Sequence, residues 1–326
     1  MDGGSTMSIK LISKHRRALM GLAIIWIAIR HSNFPYDFKI VRFFLDSCGY
    51  GGVDVFLFLS SFGLYYAYKK ESNYFEFIKR RLKRILPYSM TMCFILFLFG
   101  KRTVRDFLID FFGLSIFLRS DWIYWYTSFQ LFMYFLTPIY LKIFNKKPLA
   151  STLCGIAVVS LICYFLPSYH YVYIYFRMNI FLLGFYFAYL NEKNDDRICI
   201  PSAIVMVFGW YMIYYFFHHF GSDIPHVLPM LFIVPGLTVF GAWVLDKIPL
   251  LEKPLDFIGQ YTFQFFLRHE DVLAKLLEYW SVLYRPGIHF DFLINMAGII
   301  LAFIAAVIFK KIIDLVIRKI SHAHAS

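Results

Sequence analysis

Long apolar runs alternate along the chain with short polar stretches that are rich in Lys and Arg. Most runs have roughly 18 residues or more, the length at which an α-helix crosses about 30 Å of hydrocarbon. Because lipid leaves the edges of open sheets without hydrogen bonds, we predict that the runs are helices. The pattern predicts ten spans, at about 17–33, 50–69, 85–100, 122–144, 149–167, 171–190, 201–220, 226–245, 256–277 and 291–317.

One further apolar run is too short to be an eleventh span. Phe107 to Leu118 covers about twelve residues and is interrupted by Asp110. We predict an interfacial or re-entrant piece there.

The composition excludes an ordinary set of soluble domains. Of the 326 residues, 60% are hydrophobic and 21% aromatic, and the mean hydropathy is +0.60. A water-soluble core cannot bury that much apolar side chain. We therefore predict an all-α polytopic membrane protein with a single integral membrane domain over residues 1–326, located in the plasma or inner cell membrane.

The net charge of +12 is mainly a topology signal. Of the 33 Lys and Arg residues, 22 lie on one side of the predicted spans and 10 on the other, with Arg177 left inside a span. The positive-inside rule then places both termini in the cytoplasm. We expect membrane lipids as partners of these cations, and no nucleic acid.

The first candidate for chemistry is His31, which ends the first span directly after Arg30. Asp54 opens the second span, at a similar predicted depth, and a carboxylate there can fix the tautomer of an imidazole. Such a pair is a general-base arrangement. The alternative also stays open, with His31 an interfacial histidine and Asp54 an acid favoured by the helix dipole.

The second candidate is a basic cluster of five cations in the six residues 79–84, just before the third span. Arginine side chains such as Arg80, Arg81 and Arg84 bind phosphate groups through paired hydrogen bonds. The cluster therefore suits a phosphorylated cofactor or an anionic lipid. A plain topology anchor explains it equally well.

Further candidates are polar or aromatic groups at the ends of spans. Trp122, Trp125 and Tyr126 open the fourth span, where an interfacial aromatic belt is the alternative, and Gln130 lies deeper. Arg177 either lines a cavity or snorkels to the surface. At the ninth span, His269 stands among Arg268, Glu270 and Asp271, which either face a cavity or end the span.

Several of these pieces occur in an order that resembles the acyltransferase 3 family of integral membrane O-acyltransferases. The segments that carry the resemblance are Gly21 to Ile25 before His31, Gly52 to Phe56, Ser60 to Gly63, Arg80 to Pro87, the set Trp125, Gln130, Tyr134 and Pro138, and the late His269. Together they cover essentially the whole chain.

The chain departs from the family pattern at three positions. Met20 stands where the family usually has an arginine separated from the histidine by ten residues, and Arg17 lies on nearly the same helix face. Ser61 replaces a usual glycine, and Gln130 replaces a usual glutamate. These changes leave open a family member with altered activity.

The resemblance implies transfer of an acyl group, commonly acetyl, from cytoplasmic acyl-CoA to a hydroxyl of a surface or exported glycan. It implies His31 as the base, Asp54 as its orienting acid, and Arg30, Gln130 or Tyr126 as oxyanion donors. Acetyl-CoA is the expected donor substrate, held by Arg17, Arg80, Arg81 and Arg84, and no metal is expected. The expected acceptor-binding residues are Trp122, Trp125, Tyr126, Arg177 and His269.

Two other classes of protein remain as alternatives. A secondary transporter or channel could use intramembrane His, Arg and Asp residues as a substrate path. A non-catalytic membrane scaffold would explain the departures from the family pattern.

Overall fold

The computed structural model describes residues 6–32, 51–119, 124–166, 169–220, 227–267, 269 and 288–323. All regular secondary structure in these ranges is helical, which confirms the predicted all-α class. The helices are α1 Lys10–Arg30, α2 Gly51–Lys70, α3 Tyr74–Leu98, α4 Val104–Phe111, α5 Ser115–Leu118, α6 Trp125–Phe144, α7 Pro148–Tyr164, α8 Tyr169–Tyr175, α9 Met178–Glu192, a 3-10 turn Asp196–Ile198, α10 Cys199–Phe220, α11 Val227–Lys247, α12 Pro249–Gly259, α13 Thr262–Phe266 and α14 Ile288–Ala323.

Nine of the ten predicted spans coincide with one helix or with two consecutive helices. The ninth coincides with α12 and α13 over residues 256–266, and nearly all of its remainder lies outside the described residues. Within the described ranges, four segments are long and apolar enough to cross a membrane: Tyr171–Glu192, Asp196–Phe216, Val227–Lys247 and Phe292–Ser321. The protein therefore has the helices of a membrane protein. The count of ten spans and the cytoplasmic position of both termini stay predictions.

Helix caps explain where the structure departs from the hydropathy pattern. Helix α3 begins well before the predicted span, because the Asn73 side chain accepts a hydrogen bond from the backbone N–H of Glu76 (3.1 Å). The basic cluster at 79–84 is therefore helical. The predicted interfacial piece consists of α4 and α5, separated by Gly113, whose φ of +68° favours glycine.

The described residues form two compact units. Unit 1 comprises Met1–Arg16 and Asp54–Lys247, and unit 2 comprises Arg17–Val53 and Ile248–Ser326. Helices α1 and α2 each begin in one unit and continue in the other.

Close helix packing in unit 1 depends on glycine. A Cβ on Gly184 of α9 would collide with the Phe58 carbonyl and the Ser61 hydroxyl of α2. A Cβ on Gly236 of α11 would collide in the same way with the Ser202 carbonyl of α10. Small residues let helix backbones approach closely in membranes, where burial of apolar surface supplies little driving force.

Unit 2 contains a reciprocal pair of such contacts between α1 and α12. A Cβ on Gly21 would collide with the Leu255 carbonyl, and a Cβ on Gly259 would collide with the Arg17 carbonyl. The two helices therefore touch backbone to backbone. This contact fixes α1 against α12 over the stretch of α1 that leads to His31.

Candidate active site

A buried ion pair lies at the beginning of α2 in unit 1. Asp54 stands in the first turn of α2, and its Oδ1 accepts a hydrogen bond from Nη1 of Arg177, the residue directly before α9. Arg177 is 1% exposed and Asp54 is fully buried. The alternative in which Arg177 snorkels to the surface is therefore wrong.

Aromatic rings cover the guanidinium of Arg177. Its Cζ lies 4.6 Å from the ring centre of Tyr173 and 5.5 Å from that of Trp125, within the range of cation–π attraction. Among the described residues, Asp54 Oδ2 and Arg177 Nε have no hydrogen-bond partner. Buried polar atoms of this kind are usually satisfied by water or by a polar group of a ligand.

A line of polar side chains follows one face of α6. Tyr126, Gln130 and Tyr134 are spaced four residues apart, so they lie above one another on the helix, and all three are buried. The Tyr126 hydroxyl lies close to the Ser60 side chain of α2, and the Gln130 side chain lies close to the Tyr134 hydroxyl. We refer to these three residues of α6 as the polar stripe.

The structure separates the arginines of the basic cluster. Arg80 Nη2 lies 2.9 Å from Glu71 Oε2, so a carboxylate already neutralises its charge. Arg81 is half-buried, with its Cζ 5.6 Å from the ring centre of Phe77. Arg84 is exposed and forms no ion pair with another described residue. Of the predicted phosphate ligands in the cluster, Arg81 and Arg84 therefore remain the stronger candidates.

Unit 2 brings the two candidate histidines together. The His31 ring meets the His269 ring edge to face, with ring centres 4.9 Å apart and an interplanar angle of 76°. His31 follows the last turn of α1, where its backbone N–H donates to the Ile27 carbonyl (3.1 Å). Its side chain is exposed, whereas that of His269 is fully buried. The buried ring of His269 thus packs against the accessible ring of His31.

The orientation of His269 is fixed by its own helix segment. Its Nδ1 lies 3.0 Å from the Phe266 carbonyl, and its ring stacks on Phe265 with centres 5.3 Å apart. A carbonyl can only accept a hydrogen bond, so we assign the proton of the neutral ring to Nδ1. The lone pair then lies on Nε2, and His269 has a defined tautomer next to His31.

Comparison with known sequences decides what kind of protein carries these groups. The profile of the acyltransferase domain family matches residues 18–311. The chain belongs to the acyltransferase 3 family. Searches of curated proteins and of solved structures give no significant match.

Two departures of this acyltransferase from the family pattern have a structural explanation. Ser61 donates a hydrogen bond to the Phe58 carbonyl (2.9 Å) and packs against Gly184, so its hydroxyl is satisfied and its volume accommodated. Arg17, which shares a helix face with Met20, pairs with Asp256 in unit 2 at 2.5 Å and is largely exposed. The Asp256 carboxylate thus already neutralises the Arg17 guanidinium, which we expected to bind acyl-CoA.

Sequence reasoning missed a contact that involves the neighbouring Arg16. The Arg16 guanidinium lies so close to Gly63 in unit 1 that a Cβ on this glycine would collide with it, and Nη1 donates to the Leu59 carbonyl (3.4 Å). The only sequence signal was the glycine itself, which stands in an apolar helix where alanine would be more stable. The contacts of Tyr134 and Tyr173 could not be predicted, because aromatic residues are common throughout the chain.

Some of the predicted site residues of the acyltransferase, or the contacts between them, are not described by the structure. Trp122, Arg268, Glu270 and Asp271 lie outside the described residues. His31 and Asp54 belong to different units, so their contact stays a prediction.

Proposed function

We propose that this acyltransferase moves an acyl group, acetyl in the simplest case, from cytoplasmic acyl-CoA to a hydroxyl of a surface or exported glycan. The observation that carries the proposal is membership of the acyltransferase 3 family over residues 18–311. The cell membrane is the proposed location, because the substrates lie on opposite sides of it. A helical membrane framework is consistent with this location.

His31 is the proposed general base. As the acceptor hydroxyl attacks the thioester carbon, its proton passes to the imidazole of His31. The tetrahedral intermediate then collapses, the C–S bond breaks, and the CoA thiolate leaves and takes the proton from His31. The exposed ring of His31 and its edge-to-face contact with the buried His269 support this role.

The same base is compatible with a covalent route. The acyl group would first pass to His31 and then to the hydroxyl, with the same overall balance of atoms. Arg30, directly before His31, is the proposed donor to the oxyanion because it carries a charge on the same helix end.

Arg81 and Arg84 are the proposed ligands of the CoA phosphates. Arg80 contributes less because Glu71 already pairs with it, and Arg17 contributes less because Asp256 does. Trp125, Tyr126 and Arg177 are proposed to contact the glycan, a role that the polar and aromatic surroundings of Arg177 support. His269 is proposed to contact it beside His31.

The test is transfer of label from radioactive acetyl-CoA to glycan acceptors by the purified, reconstituted protein. We expect His31→Ala to lower kcat by about 10²–10⁴-fold, the usual contribution of a general base. His219→Ala is the matched control, since His219 is an exposed histidine of α10 that stacks on Tyr215. Equal activity of the two variants would refute His31 as the base.

The same preparation tests the transport alternative. If several acceptors and acyl donors give no labelled product and the vesicles still take up solute in His31→Ala, the acyl-transfer proposal is wrong. Labelled product that depends on His31 supports acyl transfer and excludes a purely structural role.

A further inference from the structure

Gln130 carries a buried acceptor oxygen that no described residue satisfies. The side chain is 3% exposed and lies next to the Tyr134 side chain within the polar stripe. Its Oε1 has no hydrogen-bond partner among the described residues. A buried polar atom left unsatisfied costs about 1–3 kcal/mol. This oxygen is therefore available to accept a hydrogen bond from water or from a ligand.

The surroundings of Gln130 indicate which ligand could supply that donor. At one end of the stripe, Tyr134 lies within electrostatic range of the charges of Arg81 and Arg84 on α3. At the other end, Tyr126 lies close to the Ser60 side chain of α2. The rise along α6 between the two tyrosines is about 12 Å. The stripe thus leads from a cationic end to a neutral, buried end.

A ligand that fits this order has anionic phosphates followed by a neutral chain with amide groups. Acyl-CoA has this construction, since its pantetheine arm carries amides between the diphosphate and the thioester. We propose that Gln130 and Tyr134 of the polar stripe bind the pantetheine arm of acyl-CoA, with Gln130 Oε1 accepting a hydrogen bond from an amide N–H of that arm. The inference rests on the proposed function and names a subsite for its donor substrate.

This role differs from the oxyanion role considered for Gln130. An oxyanion is stabilised by hydrogen-bond donors, whereas the unsatisfied atom of Gln130 is an acceptor. The usual glutamate of the family would present an acceptor oxygen as well. Gln130 therefore acts on substrate binding, and its loss changes affinity for CoA rather than the chemical step.

Binding measurements need neither an acceptor nor turnover. We would titrate the purified full-length protein with CoA, and measure pantetheine by its displacement of labelled CoA. Gln130→Met removes the acceptor at similar volume and is expected to weaken both ligands by about tenfold, equivalent to about 1.4 kcal/mol for one hydrogen bond. Arg84→Gln is expected to weaken CoA and leave pantetheine unchanged, because pantetheine has no phosphate.

Two further variants separate binding from folding. Gln264→Met replaces another buried glutamine, in unit 2, and is expected to leave both affinities unchanged. Gln130→Glu keeps an acceptor oxygen and is expected to retain most of the affinity for pantetheine. Loss of pantetheine binding in Gln130→Glu equal to that in Gln130→Met would contradict the proposal.

The outcomes distinguish this inference from the proposed function. If Gln130→Met binds both ligands like the unaltered protein while Arg84→Gln loses affinity for CoA, the subsite is refuted and acyl-CoA remains the donor. If the unaltered protein binds no CoA, the proposed function fails and the subsite fails with it.

Discussion

The buried ion pair between Asp54 and Arg177 should respond to substitution in a strongly non-additive way. Asp54→Asn leaves the Arg177 guanidinium buried without its counter-charge, and Arg177→Met does the same to the carboxylate. With exposures of 0% and 1%, solvent screens neither group. Removing one partner of such a pair typically costs about 3–5 kcal/mol of unfolding free energy.

The double variant should be less destabilised than the two single changes suggest. Replacing both charges with neutral side chains of similar volume removes the desolvation cost together with the attraction, so the net effect is often close to zero. The double-mutant cycle is therefore expected to give a coupling energy of several kcal/mol, larger than the range of about 0.5–3 kcal/mol common for ordinary contacts.

The assay is reversible unfolding of the purified protein in mixed micelles with increasing denaturing detergent. Lys69 and Glu192 provide the matched control in the same unit, since their ion pair has side chains that are 42% and 35% exposed. An exposed pair contributes about 0–1 kcal/mol. Additive effects of Asp54→Asn and Arg177→Met, or a coupling no larger than that of the control pair, would refute the reasoning.

Three other predictions follow from the packing and the charges. Gly184→Leu should lower the melting temperature of the purified protein strongly, because α9 touches the α2 backbone at this glycine; a melting temperature equal to that of the unaltered protein would contradict the packing. Arg80→Gln should leave the KM for acyl-CoA nearly unchanged, since Glu71 already neutralises Arg80. A rise in KM as large as that caused by Arg84→Gln would contradict the conclusion that Arg84 is a better phosphate ligand than Arg80. Hydrogen bonds from the Thr103 hydroxyl and, to a smaller extent, from Arg119 lower the pKa of Asp106. The Asp106 carboxylate therefore stabilises α4 at pH values above its ordinary pKa of about 4, and this stabilisation is lost as the pH falls through the lowered pKa. Hydrogen exchange of residues 104–111 should show a loss of protection on acidification, and Thr103→Val should move that loss to higher pH.

Hydropathy located the helices because burial in hydrocarbon depends on the residues of each run alone. It missed the ends of helices that continue into polar sequence. Helix α3 includes the basic cluster because Asn73 caps it, and a hydropathy window stops where the charges begin.

The contacts within the candidate site could not be predicted in the same way. His31 and His269 are separated by most of the chain, and so are Arg17 and Asp256, so only helix packing brings them together. The resemblance to a family indicated His31 as important without indicating what its ring touches. The ion pair of Arg177 with Asp54 could not be predicted either. Hydropathy indicates the depth of an arginine in a span but not the residues that contact it.

The contact between Ser61 and Gly184 has a consequence for how related sequences can vary. The two positions share one small space between α2 and α9, so the volume gained at one must be given up at the other. Relatives with the usual glycine at the position of Ser61 should more often tolerate alanine or serine at the position of Gly184. Compensating exchange of this kind would appear as correlated variation between two sites that are more than a hundred residues apart.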